Sequence, residues 1–183
     1  MDKTKLPVLV LKNIILFPHN EIRIELENDK DKELASLADS YYNKHILIIN
    51  PNDELEESID KTSFPRIGVI GYINMRLEMP NNKTRIVIRG LNRVKVLSYS
   101  NSDSDIPVSS FEDIETKKLS LTEEMAYSRS LIKQTEYYIE HCPTAGNSIL
   151  SDILGVNNTS KITDILTTFV PGTYMRKLEY LNE

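Results

Sequence analysis

Residues 66–99, RIGVIGYINMRLEMPNNKTRIVIRGLNRVKVLSY, contain two long runs of strand-forming residues separated by a polar break. The runs at 67–79 and 84–89 are rich in isoleucine and other apolar side chains that suit a pleated, half-buried backbone. The break between them, Pro-Asn-Asn-Lys at 80–83, predicts a turn because proline and asparagine favour turn conformations. A second turn is predicted at 90–92, followed by a further strand. The stretch therefore predicts a meander of neighbouring antiparallel strands.

The part of the chain up to about residue 116 shows mainly the two-residue period of strands. Further strands are predicted at 6–11, 14–17, 22–26, 45–50 and 108–111. One helix is predicted at 28–43, where apolar side chains recur at the spacing of a single helix face. Residues 53–60 carry five acidic side chains without any apolar period, which predicts a polar loop.

Residues 117–183 follow a helical period throughout. Ser120, with a glutamate three residues later, has the signature of a capping box. Gly155 predicts the end of a short helix, and Ser160 predicts the start of the next one. Strands that are followed by helices, and do not alternate with them, indicate an α+β fold. We therefore predict a β-rich domain at 1–116 and a small helical subdomain at 117–183.

The bulk composition limits the setting in which the protein works. Its 183 residues include a single cysteine, Cys142, which excludes an internal disulfide and favours a reducing, cytoplasmic environment. No apolar run approaches the roughly 20 residues that a membrane span requires, so we expect no membrane contact. The net charge of −5 argues against a general nucleic-acid-binding protein, whose affinity would come from neutralising phosphates.

Motifs of catalysis and cofactor binding are absent from the sequence. It contains no GxxxxGK[ST] phosphate loop, no GxSxG elbow and no HExxH pair. The three histidines, His19, His45 and His141, are far apart and are explained by a turn, a strand start and a helix end. We therefore expect no catalytic residue, no bound cofactor and no metal site in this chain.

Basic residues form a line through the second half of the meander. Lys83, Arg85 and Arg89 share one face of a strand because side chains alternate with period two. Such a strip could follow a phosphate backbone, which leaves an RNA- or DNA-binding module as the alternative function. No aromatic side chain is interleaved for base stacking. A solubilising outer face explains the same charges, so we do not expect nucleic acid as the main partner.

Apolar residues share the face that carries these charges. Before the turn, two methionines and a leucine alternate with polar residues, and a valine lies between two arginines on the next strand. Methionine side chains adapt to varied partners, and an exposed apolar patch marks a protein-binding surface. The predicted contact residues are Met75, Leu77, Met79 and Val87, with Arg76, Arg85 and Arg89 as a charged rim. The alternative is that the methionine-containing row faces the core.

Three segments resemble the N-terminal domain of the Lon family of ATP-dependent proteases. LPVLVLKNIILFP at 6–18 resembles the opening strand motif of that family. GVIGYINMRLEMPNNKTRIVIRGLNRVKV at 68–96 resembles its hairpin signature, although Pro-Asn-Asn stands where the family has a Pro-Asp-Gly-like tip. SDILGVNNTSKITDILTTFVPGTYMRKLEYLNE at 151–183 is similar to the helical segment of the same region. The resemblance covers nearly the whole chain.

This resemblance implies a PUA-like β pseudobarrel with one packed helix, followed by a small helical subdomain that leads towards an ATPase module. It implies recognition of unfolded or damaged proteins and assembly into a hexamer. Family members carry ATP and Mg²⁺ sites and a Ser-Lys peptidase dyad in downstream modules, and we expect the chain to end before them. On this interpretation the chain has no hydrolytic activity, while the kinship to PUA-like RNA binders keeps the nucleic-acid alternative open.

Overall fold

The computed structural model describes residues 5–52, 59, 64–102, 105–114, 118–142 and 148–183. In chain order its elements are β1 (Lys5–Val10), β2 (Glu21–Leu26), α1 (Asp29–Tyr41), β3 (His45–Ile49), β4 (Ile67–Met79), β5 (Lys83–Val96), β6 (Ser100–Asn101), β7 (Pro107–Asp113), α2 (Leu121–His141), α3 (Ser148–Ile153), α4 (Thr159–Phe169) and α5 (Tyr174–Asn182). They form two compact units, Met1–Ile114 with Thr173–Glu183, and Glu115–Gly172. The predicted α+β class is confirmed. The predicted acidic loop at 53–60 lies outside the described residues except for Ile59.

Five strands of the first unit close into a barrel. β1 pairs in parallel with β3 and antiparallel with β7, and β3 pairs antiparallel with β4. β5 closes the ring because it pairs antiparallel with β4 and, at residues 94–96, with β7. β2 pairs with the N-terminal part of β5, outside the ring. A barrel extended by additional strands is the pseudobarrel that the family resemblance implied.

Two apolar cores lie on the two sides of the barrel wall. The inner core includes Val8, Leu47, Ile49, Ile70, Val94 and Val96. The outer core includes Leu9, Ile46, Ile48, Ile73, Ile86 and Ile88, together with residues of α1 and α5. Neighbouring residues of β1 and β3 belong to different cores because successive side chains point to opposite faces of a sheet.

Helix α1 covers part of the outer core. Asn28 caps its start, because the Asn28 side chain accepts a hydrogen bond of 2.9 Å from the backbone N–H of Lys30. Leu34, Ala35 and Ala38 are buried on the face that packs against the sheet. The helix predicted at 28–43 is therefore confirmed, with slightly shorter bounds.

Helix α5 packs with the β-rich unit although it follows the helical unit in sequence. Tyr174, Leu178 and Leu181 belong to the outer core. The Tyr174 hydroxyl donates a hydrogen bond of 2.7 Å to the carbonyl of Pro51, and Arg93 Nε donates one of 3.0 Å to the carbonyl of Leu181. The sequence predicts one helical subdomain at 117–183, whereas the packing groups the last eleven residues, Thr173–Glu183, with the barrel.

Strand β5 runs without interruption through Gly90, so the predicted turn at 90–92 is wrong. A Cβ atom at Gly90 would lie 2.2 Å from the carbonyl oxygen of Phe17. The backbone N–H of Gly90 donates to the carbonyl of Asn20 at 2.8 Å, and its carbonyl accepts from the N–H of His19 at 2.9 Å. Gly90 does not reverse the chain. A glycine is required there because the backbone of another segment crosses the strand too closely for a side chain.

The strand predicted at 14–17 is also wrong, because these residues form an irregular loop that leads into the segment crossing β5. Leu16 and Phe17 are nevertheless fully buried. The side chain of Asn50 holds the loop by donating hydrogen bonds of 2.9 Å and 2.7 Å to the carbonyls of Leu11 and Ile14. The apolar run thus predicted burial correctly, but not the conformation of the backbone.

The second unit is described as the helices α2, α3 and α4. Ser120 and Glu123 form the predicted capping box at the start of α2. The core of this unit contains Ile153, Ile162 and Ile165. A bundle of three helices around a small apolar cluster agrees with the helical period of this part of the sequence.

The start of α4 differs from the prediction. Asn158, and not Ser160, is the capping residue, and its side chain accepts a hydrogen bond of 2.7 Å from the N–H of Lys161. Ser160 lies in the first turn of the helix. Asparagine and serine both favour caps, so residue preference alone does not decide between neighbouring candidates.

Replacement of Gly90 by alanine is expected to lower the free energy of unfolding by about 1–3 kcal/mol, because the new methyl group clashes with the backbone of Phe17. Asn92→Ala is the control on the same strand, since Asn92 is exposed and such changes alter stability by about 0.5 kcal/mol or less. Urea denaturation followed by circular dichroism measures both variants. Equal stabilities of the two variants would contradict a tight crossing at Gly90.

Candidate functional site

Strands β2, β5 and β4 present a common face that points away from α1. Residues aligned across the three strands point to the same side of the sheet. Arg23, Val87 and Met75 form one such row. The next residue of β5 towards the tip, Ile86, belongs to the outer core and therefore points to the opposite side. We define the hairpin face as Glu21, Arg23 and Glu25 of β2, Lys83, Arg85, Val87 and Arg89 of β5, and Met75, Leu77 and Met79 of β4.

The three residues of β4 on this face, Met75, Leu77 and Met79, are here called the methionine row. Met75 exposes 43% of its surface and Leu77 exposes 45%, while Met79 is half-buried. An exposed apolar side chain is common by itself, but three in alternation on one strand form a continuous strip. The row therefore lies on the surface and not in the core.

Val87 shares the hairpin face but is only 4% exposed. It lies on the central strand β5, directly between Met75 and Arg23 on the neighbouring strands. Long side chains on both sides of a central strand shield a shorter one between them. Val87 therefore supports the methionine row from the side and presents little surface of its own to a ligand.

Carboxylates on and next to β2 neutralise the cations nearest the hairpin tip. Arg85 Nη2 lies 2.5 Å from Glu25 Oε1, and Lys83 Nζ lies 2.5 Å from Glu27 Oε1. The hydrogen bond from Arg85, and then its positive charge, hold the pKa of the Glu25 carboxyl below its ordinary value. These ion pairs leave less positive charge available to a phosphate backbone than the sequence of β5 alone suggested.

Arg23 and Arg89 carry the remaining positive charge of the hairpin face. Both side chains are exposed, and neither has an ion-pair partner among the residues that the structure describes. The face and the adjoining Glu27 together place four cations beside three carboxylates, which gives a net charge of +1. A surface with this balance is close to neutral.

Arg76, predicted as part of the charged rim, lies on the opposite side of β4 from the methionine row. Its Nη2 atom lies 3.0 Å from Glu78 Oε1, and the other oxygen of Glu78 accepts a hydrogen bond of 2.9 Å from the Thr84 hydroxyl. The Thr84 hydrogen bond, followed by that from Arg76, lowers the pKa of the Glu78 carboxyl. The two sides of β4 near the tip therefore differ, since one carries the apolar methionine row and the other carries the charged pair of Arg76 and Glu78.

The tip of the hairpin has the predicted turn chemistry. Asn81 and Asn82 both have positive φ angles, 69° and 58°, which asparagine adopts more readily than most residues. Lys32 of α1 donates a hydrogen bond of 2.8 Å from its Nζ atom to the carbonyl of Asn82. The turn and α1 together fix the position of the methionine row.

In the part of the chain that the structure describes, no group of three or more histidine, cysteine, aspartate and glutamate side chains is placed to bind a metal ion. None of the helices described is both long and apolar enough to cross a membrane. The ring of His141 contacts the carbonyl of Tyr137 in its own helix, at 2.8 Å from Nδ1.

Sequence reasoning missed the contribution of β2 to this site. Residues 21–26 alternate charged and apolar side chains, and this alternation predicted a strand with one wet face. The pattern did not indicate which strand it pairs with, so Glu25 could not be matched to Arg85. The charge balance of the hairpin face depends on that pairing.

A family model described as the ATP-dependent protease La (LON) substrate-binding domain matches residues 5–183, and the chain belongs to this family. The Lon protease of Brevibacillus choshinensis is 23% identical over 180 residues, which are 98% of this chain and 23% of that protein. The Lon protease of Heliobacterium modesticaldum is 25% identical over 165 residues, which are 90% of this chain and 20% of that protein. The chain thus spans less than a quarter of the length of these relatives.

Two solved structures share the fold. The N-terminal domain of a Mycobacterium avium complex Lon protease has a TM-score of 0.79 at 18% identity, covering 98% of this chain and 90% of that one. A Lon N-terminal domain protein from Xanthomonas campestris has a TM-score of 0.53 at 14% identity, covering 92% of this chain and 99% of that one. The α+β fold implied by the sequence resemblance is confirmed.

The Glu25–Arg85 pair makes a testable prediction about protonation. Arg85→Met is expected to raise the pKa of Glu25 towards the ordinary value of 4.5, because the hydrogen bond and charge that lower it are removed. In the wild type, the stabilisation by this pair is present above pH 4.5 and is lost as the pH falls through the lowered pKa of the folded state. Carbon-13 NMR titration of the glutamate carboxyls measures the shift.

Arg89→Met is the matched control for this titration. Arg89 lies on the same strand and the same face but forms no ion pair with Glu25 among the described residues, so its removal should leave the Glu25 titration nearly unchanged. If Arg85→Met shifted the titration no more than Arg89→Met, the ion pair would not persist in solution.

Proposed function

We propose that this chain is the substrate-recognition domain of a Lon-type ATP-dependent protease and binds exposed hydrophobic segments of unfolded or damaged proteins. The methionine row is the proposed contact surface. The observation that carries the proposal is the exposure of Met75 and Leu77, 43% and 45%, on a strand held in place by β5. Folded proteins bury most large apolar side chains, so exposed apolar segments are a feature by which unfolded chains can be selected.

The size of the row supports weak and adaptable binding. Burial of apolar surface contributes about 25 cal/mol per Å², and only three partly exposed side chains are available. Ordering a flexible client opposes this gain. The long, unbranched methionine side chains can adjust to clients of different shape. Modest affinity suits a domain that has to release its client for unfolding and cleavage.

The remaining steps are proposed for parts of the protein outside this chain, which covers 23% of the Brevibacillus relative. ATP and Mg²⁺ would bind in an ATPase module, and a Ser-Lys dyad would cleave the client. We propose assembly as a hexamer in the cytoplasm, with this chain contributing to assembly as well as recognition. For the chain alone we propose neither ATPase nor peptidase activity.

Protein, and not nucleic acid, is the proposed partner because of the charge arrangement. Lys83 and Arg85 are engaged by Glu27 and Glu25 on the surface that would have to contact phosphates. The whole chain has a net charge of −5, which disfavours approach to a polyanion. An RNA- or DNA-binding module therefore remains only the alternative against which the main proposal is tested.

Leu77→Glu is expected to weaken binding to an unfolded protein such as reduced, alkylated casein by about tenfold, because a charged group replaces an apolar contact. Leu97→Glu is the matched control, since Leu97 lies in the same unit and is 48% exposed, close to the 45% of Leu77. Val87 is unsuitable as a probe, because a charge at a buried position would destabilise the fold. Fluorescence anisotropy of labelled casein measures the affinities.

Salt dependence separates the two candidate partners in the same assay. Casein binding should change less than about threefold between 50 and 200 mM salt, whereas binding through phosphate contacts would fall by orders of magnitude. Equal losses for Leu77→Glu and Leu97→Glu would show that the methionine row is not the site. Tight, salt-sensitive binding of RNA together with no casein binding would favour the alternative function.

A further inference from the structure

The methionine row lies beside a strand edge that has no partner in the described structure. β4 pairs with β5 along its length, but its pairing with β3 ends near Tyr72, with one further hydrogen bond of 2.8 Å from the N–H of Ile73 to the carbonyl of Lys44. Beyond that point, among the residues described, β4 has a strand neighbour on one side only. Residues 74–79 therefore leave alternate backbone N–H and C=O groups on the outer edge without a strand partner.

This free edge has two chemically distinct sides. One side carries the methionine row. The other side carries Arg76 and Glu78, whose charges are paired with each other at 3.0 Å. A strand added at this edge would place alternate side chains over each of the two sides. The best match is a segment in which apolar and polar residues alternate.

The other free edge of the sheet next to this site is less suitable. β2 is the outermost strand on that side, and its residues on the hairpin face are Glu21, Arg23 and Glu25. Charged side chains along an edge strand discourage pairing with another chain. On the hairpin face the β2 edge is charged and the β4 edge is apolar, and this contrast assigns the docking position to β4.

We propose that an unfolded client binds by adding an extended strand to the 74–79 edge of β4, with its apolar side chains on the methionine row. This inference rests on the proposed function and specifies how the client is held. Backbone hydrogen bonds provide affinity that does not depend on client sequence, while the methionine row selects apolar side chains at every second position. The edge of six residues corresponds to about 20 Å of extended chain, so a client segment of about six residues is sufficient.

The proposal also defines the clients that bind poorly. Proline lacks the N–H group that pairs with a strand edge, so proline-rich segments should be weak ligands. A client segment whose apolar residues recur at the spacing of a helix face would place only some of its apolar side chains on the methionine row, because an extended strand turns every second side chain to the other side. The preferred substrates are therefore extended, proline-poor segments with a two-residue apolar period.

The test uses the full 183-residue chain and a fluorescent peptide of eight residues that alternates valine with threonine. Two derivatives carry N-methyl groups, one on all valines and the other on all threonines. The alternating pattern fixes which face the peptide presents, because a slip of one residue would turn the valines away from the row. One derivative should lose about tenfold or more in affinity and the other should bind nearly as the parent peptide, because only one set of N–H groups points to β4.

A second measurement identifies the edge directly. Amide hydrogen exchange in the peptide complex, read by NMR, should slow at alternate residues of 74–79 and remain unchanged at 21–26. Protection on β2 in place of β4, or equal effects of the two N-methyl derivatives, would overturn strand addition. Concentration-dependent dimerisation with β4 protection in the absence of peptide would also overturn it, since the edge would then be occupied by a second copy.

Failure of this mechanism can be distinguished from failure of the proposed function. If neither N-methyl set weakened binding but Leu77→Glu still weakened casein binding relative to Leu97→Glu, clients would bind the row through side chains alone. In that case the recognition function would stand and strand addition would be wrong. If Leu77→Glu also had no effect, both proposals would be wrong.

Discussion

The arrangement of the barrel unit depends on the uninterrupted course of β5 through Gly90. This strand pairs with β2 and β4 near the hairpin and with β4 and β7 near its other end. The even-numbered side chain of Ile86 points to the outer core, whereas that of Val94 points to the inner core. The alternation of side chains along β5 is therefore shifted by one residue between these two positions. The crossing of the 17–20 segment at Gly90 lies within this transition. Because β5 continues beyond the barrel, the hairpin and the paired strand β2 form a three-stranded extension of the sheet with two faces.

The packing of this three-stranded extension explains why apolar side chains can remain exposed at low cost to folding. On the side facing α1, Ile86 and Ile88 supply the buried surface that holds the hairpin in place. On the hairpin face, Lys83 and Arg85 form ion pairs with Glu27 and Glu25, and these pairs lie next to the methionine row. These exposed pairs add little to stability but keep the row from extending across the whole face. The apolar strip is therefore narrow and lies at the edge of the sheet.

Periodicity was sufficient to predict most of the strands, α1 and the shared face of Met75 and Leu77, because these depend on neighbouring residues. Several predictions failed because a distant contact decided the outcome. Gly90 looked like a turn residue, since its close neighbour Phe17 is far away in sequence. α5 looked like part of the helical subdomain, since its hydrogen bonds to Pro51 and Arg93 join residues far apart in the chain. Val87 was placed on the correct face, but its burial depends on longer side chains from two other strands.

The residues of the proposed recognition surface contribute little to the stability of the fold. A residue contributes to folding in proportion to the apolar surface that it buries, and Met75 and Leu77 leave nearly half of theirs in water. The unpaired backbone groups of the β4 edge are likewise solvated in the free protein, so leaving them unpaired costs little. The same groups would gain partners in the proposed strand addition. A surface built from residues that folding does not require can therefore vary its apolar side chains with little penalty to stability.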